Sequence, residues 1–157
     1  MAMSLQREVG KTISEKRLTL AVAESCTGGL VSSLVTDVPG ASAYFLAGLI
    51  TYSNESKVRL LGVREETLQA HGAVSEETVR EMADGVRRAT GADIGAADTG
   101  IAGPSGGTAK KPVGLVYLAV DNGVEVVVER HVFPGDRLAI KRAASERLLA
   151  LVVETIG

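Results

Sequence analysis

Residues 23–30, Ala-Glu-Ser-Cys-Thr-Gly-Gly-Leu, place a carboxylate, two hydroxyls and a thiol in a row, directly ahead of two glycines. Ser25 and Cys26 are nucleophiles if a base removes their proton. Gly28 and Gly29 lack a Cβ, so backbone or ligand can approach closely. An apolar run, Leu18 to Ala23, precedes the segment and reads as a buried strand; Leu30, Val31, Leu34 and Val35 follow at helical spacing. The chemical groups therefore stand where a strand turns into a helix. The first turn of a helix leaves backbone N–H groups unpaired, which suits an oxyanion formed at a nucleophile beside it. The plainer reading is a Ser or Thr cap on an ordinary helix.

A serine needs a base. His71 precedes Gly72 in a connection and His131 lies on an alternating strand, so both read as surface or locally bonded residues. Lys57, in Tyr52-Ser-Asn-Glu-Ser-Lys57, stands one turn into a helix that follows a strand. A desolvated lysine can supply a neutral amine and serve as base; otherwise Lys57 is a solvated helix residue. The thiol of Cys26 competes with Ser25 as nucleophile, yet cysteine is among the most buried residue types, and burial is the preferred reading here.

A third segment, Thr99 to Thr108, carries Gly100, Gly103, Gly106 and Gly107. Successive N–H groups in such a loop can cradle an anion, with Lys110, Lys111 or Arg137 adding charge. The segment has neither the Gly-Lys-Ser/Thr of a phosphate-binding P-loop nor a G-x-G-x-x-G order. No His, Cys and carboxylate set has metal-ligand spacing, so neither metal nor cofactor is expected.

The elements that must position these groups follow from periodicity. Ser4 can cap a helix striped by Leu5, Val9 and Ile13. Gly48–Tyr52 reads as a strand and Asn54 as the cap of a short helix closed by Gly62. A helix over Glu65–Ala70 precedes a longer one that Ser75 opens, with Val79, Met82, Ala83 and Val86 buried, ended by Gly91. Ala92–Asp98 and Val113–Asp121 read as strands. Asp121-Asn-Gly123 signals a hairpin into Val124–Phe133. Asp136 caps a last helix striped by Leu138, Ala144, Leu148, Leu151 and Val152. Strands interleaved with helices, then a hairpin, predict one three-layer α/β/α domain over residues 1–157 with a mixed sheet.

Composition narrows the class. The 157 residues are 45% hydrophobic, which argues against disorder, and a net charge of −2 offers no basic footprint for nucleic acid or a membrane surface. Aromatics at 3% with no Trp exclude base-stacking platforms. The lone cysteine excludes an intrachain disulfide. No apolar run approaches membrane-spanning length, and the first residues lack the apolar middle of a signal peptide, so a cytoplasmic protein is expected.

Taken together, AESCTGGL, ITYSNESK, HGAVSEE, TGIAGPSGGT with KPVG, and FPGDR resemble the CinA-like family: the C-terminal domain of competence/damage-inducible protein A and its stand-alone relatives, the nicotinamide mononucleotide amidohydrolases. The resemblance runs in order from about Leu18 to the last helix. Larger members carry an additional N-terminal domain, and this chain is expected to begin at the deamidase-like one. The resemblance implies an anticodon-binding-domain-like fold and hydrolysis of nicotinamide mononucleotide to nicotinate mononucleotide and ammonia. It implies Ser25 as nucleophile, Lys57 as base and Tyr52 as a group that assists or orients them. Substrate contacts are expected from Glu24, Thr27, Gly28, Thr99, Gly100, Gly103, Gly106 and Gly107, with Arg137 chosen for the phosphate because a guanidinium bonds it in bidentate fashion. The expected partner is a small nucleotide, and a homodimer is expected from the usual symmetry preference. A non-catalytic role through a protein partner, or hydrolysis of another amide, are the alternatives.

Overall fold

A computed structural model describes residues 2–157. In chain order the elements are α1 (Leu5–Glu15), β1 (Leu20–Glu24), α2 (Leu30–Thr36), a single turn at Ala41–Ala43, β2 (Phe45–Ile50), α3 (Asn54–Leu61), α4 (Glu65–His71), α5 (Glu76–Thr90), β3 (Ile94–Gly100), β4 (Leu115–Asp121), β5 (Val126–Val132) and α6 (Arg137–Ile156). The strands form one sheet in the order β2-β1-β3-β4-β5. β1 pairs in parallel with β2 and β3, while β4 and β5 run antiparallel. The fold is thus α/β with a mixed sheet.

The period-2 alternation of the strands divides the core. Leu20 and Val22 of β1, with Ile94 and Ala96 of β3, pack against Val9, Ile13, Val31, Leu34 and Leu148 of α1, α2 and α6. Ala21, Ala23 and Ala97 face the opposite way, onto Val79, Met82, Ala83 and Val86 of α5. Small residues on that second face let α5 lie close: a Cβ at Gly95 would stand 2.2 Å from the Ala83 carbonyl oxygen. The connection after β1 covers one face and the helices after β2 cover the other. The carboxyl ends of β1 and β3 therefore form a topological switch point, where open α/β sheets bind ligands.

Several boundaries differ from the sequence expectations. The α3 cap is Ser53, whose side chain accepts from the Ser56 N–H; Asn54 is the first helical residue. β2 begins at Phe45 and ends at Ile50, two residues before Tyr52. Leu138, placed in the buried stripe of α6, is 72% exposed, because the first turn of α6 projects past the sheet and burial starts at Ile140. Asp136 and Ser75 do cap α6 and α5, accepting from Ala139 N–H and Thr78 N–H. Ser4 flanks α1 without a side-chain cap bond.

Candidate active site

β1 ends at Glu24 and α2 starts at Leu30, so Ser25–Gly29 is a tight turn. Gly28 and Gly29 both adopt positive φ, +60° and +105°, a conformation that side chains with a Cβ rarely adopt. This reversal brings the start of α2 back over the end of β1. Glu24 has the register of Leu20 and Val22, so its carboxylate points under α2. There Oε1 accepts from Thr27 Oγ1 (2.6 Å), Gly29 N (3.0 Å) and Val31 N (2.9 Å). Oε2 accepts from Ser32 N (2.9 Å) and Ser32 Oγ (2.6 Å). Glu24 is fully buried. It is the cap of α2 rather than a substrate contact, and the α2 donors expected to hold an oxyanion are engaged by it.

Ser25 is 8% exposed and Lys57 is 1% exposed. The Lys57 Nζ lies 3.0 Å from Ser25 Oγ, 2.7 Å from the Thr51 carbonyl and 3.3 Å from the Tyr52 carbonyl. α3 supplies the lysine, and Thr51 is tied to β1 by Thr51 N donating to Glu24 O at 2.7 Å. Burial pulls the Lys57 amine below the ordinary lysine range, an effect that negative charge on Asp98 or Cys26 would oppose. The three oxygens around Nζ match the three N–H groups of an ammonium; in a neutral amine the two carbonyls would take two N–H bonds and the lone pair would face the Ser25 hydroxyl.

Asp98, which the sequence reading treated only as the end of a strand, lies directly beneath the turn. Its Oδ1 accepts from Ser25 N (3.1 Å), Thr27 N (3.4 Å) and Cys26 Sγ (3.5 Å), and its Oδ2 lies 2.5 Å from Thr27 Oγ1. Burial, with Glu24 nearby, raises its carboxyl to about 6 against the hydrogen bond from Thr27. Burial, with Asp98 beside it, pushes the Cys26 thiol well up, so it stays protonated and weakly nucleophilic.

Ser25 opens into a cavity of about 190 Å³ lined by Cys26, Tyr52, Lys57, Ala73, Val74, Thr99, Gly100, Ala102 and Arg137. Gly100 must be a glycine, since a Cβ would meet Val116 Cγ2 at 2.7 Å and Leu115 O at 2.8 Å. The Ala73–Val74 wall went unnoticed in the sequence as part of a site. It is held by Thr99 Oγ1 donating to Ala73 O at 2.8 Å, and the adjoining Gly72 O accepts from Ser75 Oγ (2.9 Å) and Thr78 Oγ1 (2.7 Å).

Other expected residues fall elsewhere. Thr27 is fully buried between Glu24 and Asp98, away from the cavity. Gly28 is exposed, and a Cβ there would lie 3.6 Å from Lys141 Nζ. Gly103 contributes its carbonyl to Arg137 Nη1 at 2.7 Å. Gly106 and Gly107 stand on the exposed loop, where Gly107 packs against Val113. The Tyr52 hydroxyl accepts from Arg137 Nη2 at 2.9 Å, so it is the carbonyl of Tyr52, not its phenol, that meets Lys57. Lys111 Nζ is engaged with the His71 carbonyl at 2.7 Å. His71 pairs with Glu77 at 3.6 Å and His131 with Glu129 at 2.8 Å, and neither lines the cavity. Among the described residues no three His, Cys, Asp or Glu side chains converge to hold a metal, and no helix is long and apolar enough to cross a membrane.

Comparison with known proteins gives the same family throughout. The family described as CinA C-terminal domain matches residues 2–156. The chain is 53% identical over 149 residues to a putative competence-damage inducible protein of Moorella thermoacetica, covering 95% of this chain and 36% of that protein. It is 49% identical over 159 residues to a CinA-like protein of Chloroherpeton thalassium, covering 99% and 38%. The chain thus spans less than two-fifths of these relatives' length. Among solved structures, a CinA superfamily protein of Klebsiella pneumoniae superposes with a TM-score of 0.93 at 36% identity, covering 97% of this chain and 95% of that one. The competence/damage inducible protein CihA of Agrobacterium tumefaciens superposes with 0.91 at 36% identity, covering 98% of each. With residues 2–156 matched by the family, this chain belongs to the CinA C-terminal domain family.

Proposed function

We propose that this chain hydrolyses the carboxamide of nicotinamide mononucleotide, giving nicotinate mononucleotide and ammonia, through a serine–lysine pair. The observation that carries the reading is the buried 3.0 Å contact between Lys57 Nζ and Ser25 Oγ. Neutral Lys57 takes the Ser25 proton as Oγ bonds to the carboxamide carbon. The resulting ammonium then has three N–H groups for three acceptors: Thr51 O, Tyr52 O and the former hydroxyl oxygen. The Cys26 N–H, which makes no backbone–backbone hydrogen bond among the described residues, is the donor beside the oxyanion. Lys57 returns its proton to the departing nitrogen, the C–N bond breaks, and water cleaves the acyl ester.

The cavity supports a small planar amide. Its 190 Å³ falls below the ~300–1,000 Å³ of whole small-molecule sites, so it suits one ring and its carboxamide. The rest of a nucleotide would extend past Arg137 and Lys141, four residues apart on α6, which favours an anionic tail. The resemblance of AESCTGGL and YSNESK to the nucleotide amidohydrolases makes the pyridine carboxamide the substrate of choice. The test is ammonia release from nicotinamide mononucleotide by the purified chain. Turnover should be present in the wild type and absent in Ser25→Ala. No ammonia from the nucleotide, with release from another amide, would transfer the mechanism to that substrate; none from any amide would favour a binding role.

A further inference from the structure

Thr27 Oγ1 lies 2.6 Å from Glu24 Oε1 and 2.5 Å from Asp98 Oδ2. Both separations are those of O–H···O hydrogen bonds. A threonine hydroxyl carries one proton and can donate to only one of them. Were both carboxylates ionised, one contact would press an anionic oxygen against a lone pair. A second proton must therefore lie in the Glu24–Thr27–Asp98 chain.

The surroundings decide where it sits. Besides Thr27, Glu24 accepts from three backbone N–H groups and the Ser32 hydroxyl, so both of its oxygens already have donors and neither needs to carry the proton. Asp98 is fully buried. Its Oδ1 accepts from Ser25 N, Thr27 N and Cys26 Sγ, but Oδ2 has Thr27 as its only partner among the described residues. The groups that face Asp98 are Glu24 from β1, Cys26 from the turn and Lys57 from α3. No Arg or Lys among the described residues forms an ion pair with it within 4.0 Å.

We propose that Asp98 is a neutral carboxylic acid which donates from Oδ2 to Thr27 Oγ1, while Thr27 donates to the ionised Glu24. Asp98 is then a positioning residue: its Oδ1 fixes the backbone of Ser25 without placing a second negative charge below the nucleophile. While protonated, Asp98 adds no negative charge that would favour the ammonium form of Lys57. The tendency of burial to raise this carboxyl agrees with the donor count.

The decisive experiment reads the proton directly. The full chain is labelled with ¹³C-aspartate, and the Asp98 Cγ resonance, assigned through its own backbone, is followed from pH 4 to pH 9. The acid form should dominate at pH 5, with a midpoint near 6 or above. A carboxylate that already predominates at pH 5, which means a midpoint below 5, would overturn the proposal.

Variants supply an independent reading. Asparagine copies the acid, with Nδ2–H in place of Oδ2–H, so Asp98→Asn should fold. A carboxyl raised on folding contributes stability below its unfolded value that is lost as pH rises through its folded value. The melting temperature of Asp98→Asn should therefore gain on the wild type between pH 4 and pH 8. The acid limb of its kcat/KM for ammonia release should move to lower pH, since no charge can form beside Lys57. Asp98→Ala, which removes the acceptor for Ser25 N, should be destabilised at every pH. An asparagine variant as unstable as the alanine one, or unfolded, would count against the neutral carboxyl. The resonance and melting readouts need no substrate, so they stand apart from the fate of the proposed hydrolysis.

Discussion

Lys57 sits among two carbonyls and a hydroxyl with no carboxylate bonded to it among the described residues, an arrangement suited to taking up a proton. The base form is the neutral amine, and burial moves its appearance below the ordinary lysine value of 10.5. kcat/KM should thus rise with pH along a limb below 10.5, and Lys57→Arg, permanently charged, should lose on the order of 10²–10⁴ in kcat. A profile unchanged in Lys57→Arg would remove the lysine from the mechanism. Cys26→Ala should keep turnover within about threefold, and iodoacetamide should label Cys26 slowly, since its thiol is held protonated. Loss of activity in a folded Cys26→Ala would exchange the nucleophile. At this scale Ser25 and Lys57 were legible because each sits in a long motif at a strand end. Asp98 was not: an Asp closing a run of alanines reads as a strand terminus. Its role arises from β3 lying in register with β1, which only pairing reveals. The one signal was an acidic residue within a stretch otherwise fit for burial.

The turn between β1 and α2 is built on one carboxylate. The apolar run up to Ala23 was legible as a strand, but Glu24 continues the strand's alternation and turns inward, where a short helix of seven residues rests on it. The sequence reading placed Glu24 among the substrate contacts; the pleat assigns it to α2. Glu24→Gln replaces one acceptor oxygen with a donor facing N–H groups. It should cost on the order of 3 kcal/mol in urea unfolding, with turnover falling as the turn loosens. A fully stable variant would mean that α2 holds by packing alone. A second element-scale consequence concerns α6. Its first turn lies beyond the sheet, which is why Leu138 is exposed and why Arg137 reaches Gly103 O and Tyr52 O–H across the cavity mouth. Arg137→Ala should raise KM for the nucleotide more than it lowers kcat, and should matter little for the riboside lacking phosphate. An equal effect on both substrates would make Arg137 a brace for the cavity walls and not a phosphate contact.

Across the whole molecule, the site depends on α6 keeping its place against the far edge of the sheet. The alternation of β5 was legible, whereas the side chains that join it to α6 were not, because partners 18 residues apart in sequence meet only after the hairpin and helix have docked. Arg147 of α6 donates to both oxygens of Glu129 on β5, at 2.7 Å each, and to Glu154 at 2.8 and 2.9 Å. His131 adds a contact to Glu129 at 2.8 Å. The Arg147 bonds, with His131 beside them, hold the Glu129 carboxyl down at about 2, from an ordinary 4.5. A depressed folded value contributes stability that is complete above the unfolded pKa and lost as pH falls through the folded one. The full shift sets an upper limit near 3 kcal/mol, and with Glu129 and Arg147 about a quarter exposed, solvent screening reduces it to about 2 kcal/mol. Glu129→Gln should therefore unfold in urea with about 2 kcal/mol less stability at pH 7, and the deficit should shrink steadily from pH 4.5 toward pH 2. Glu129 lies outside the cavity, so kcat/KM at pH 7 should be unchanged. A deficit that stayed constant down to pH 2 would reduce the network to packing. A loss of turnover in the folded variant would instead show that the edge of the sheet governs how α6 presents Arg137 to the site.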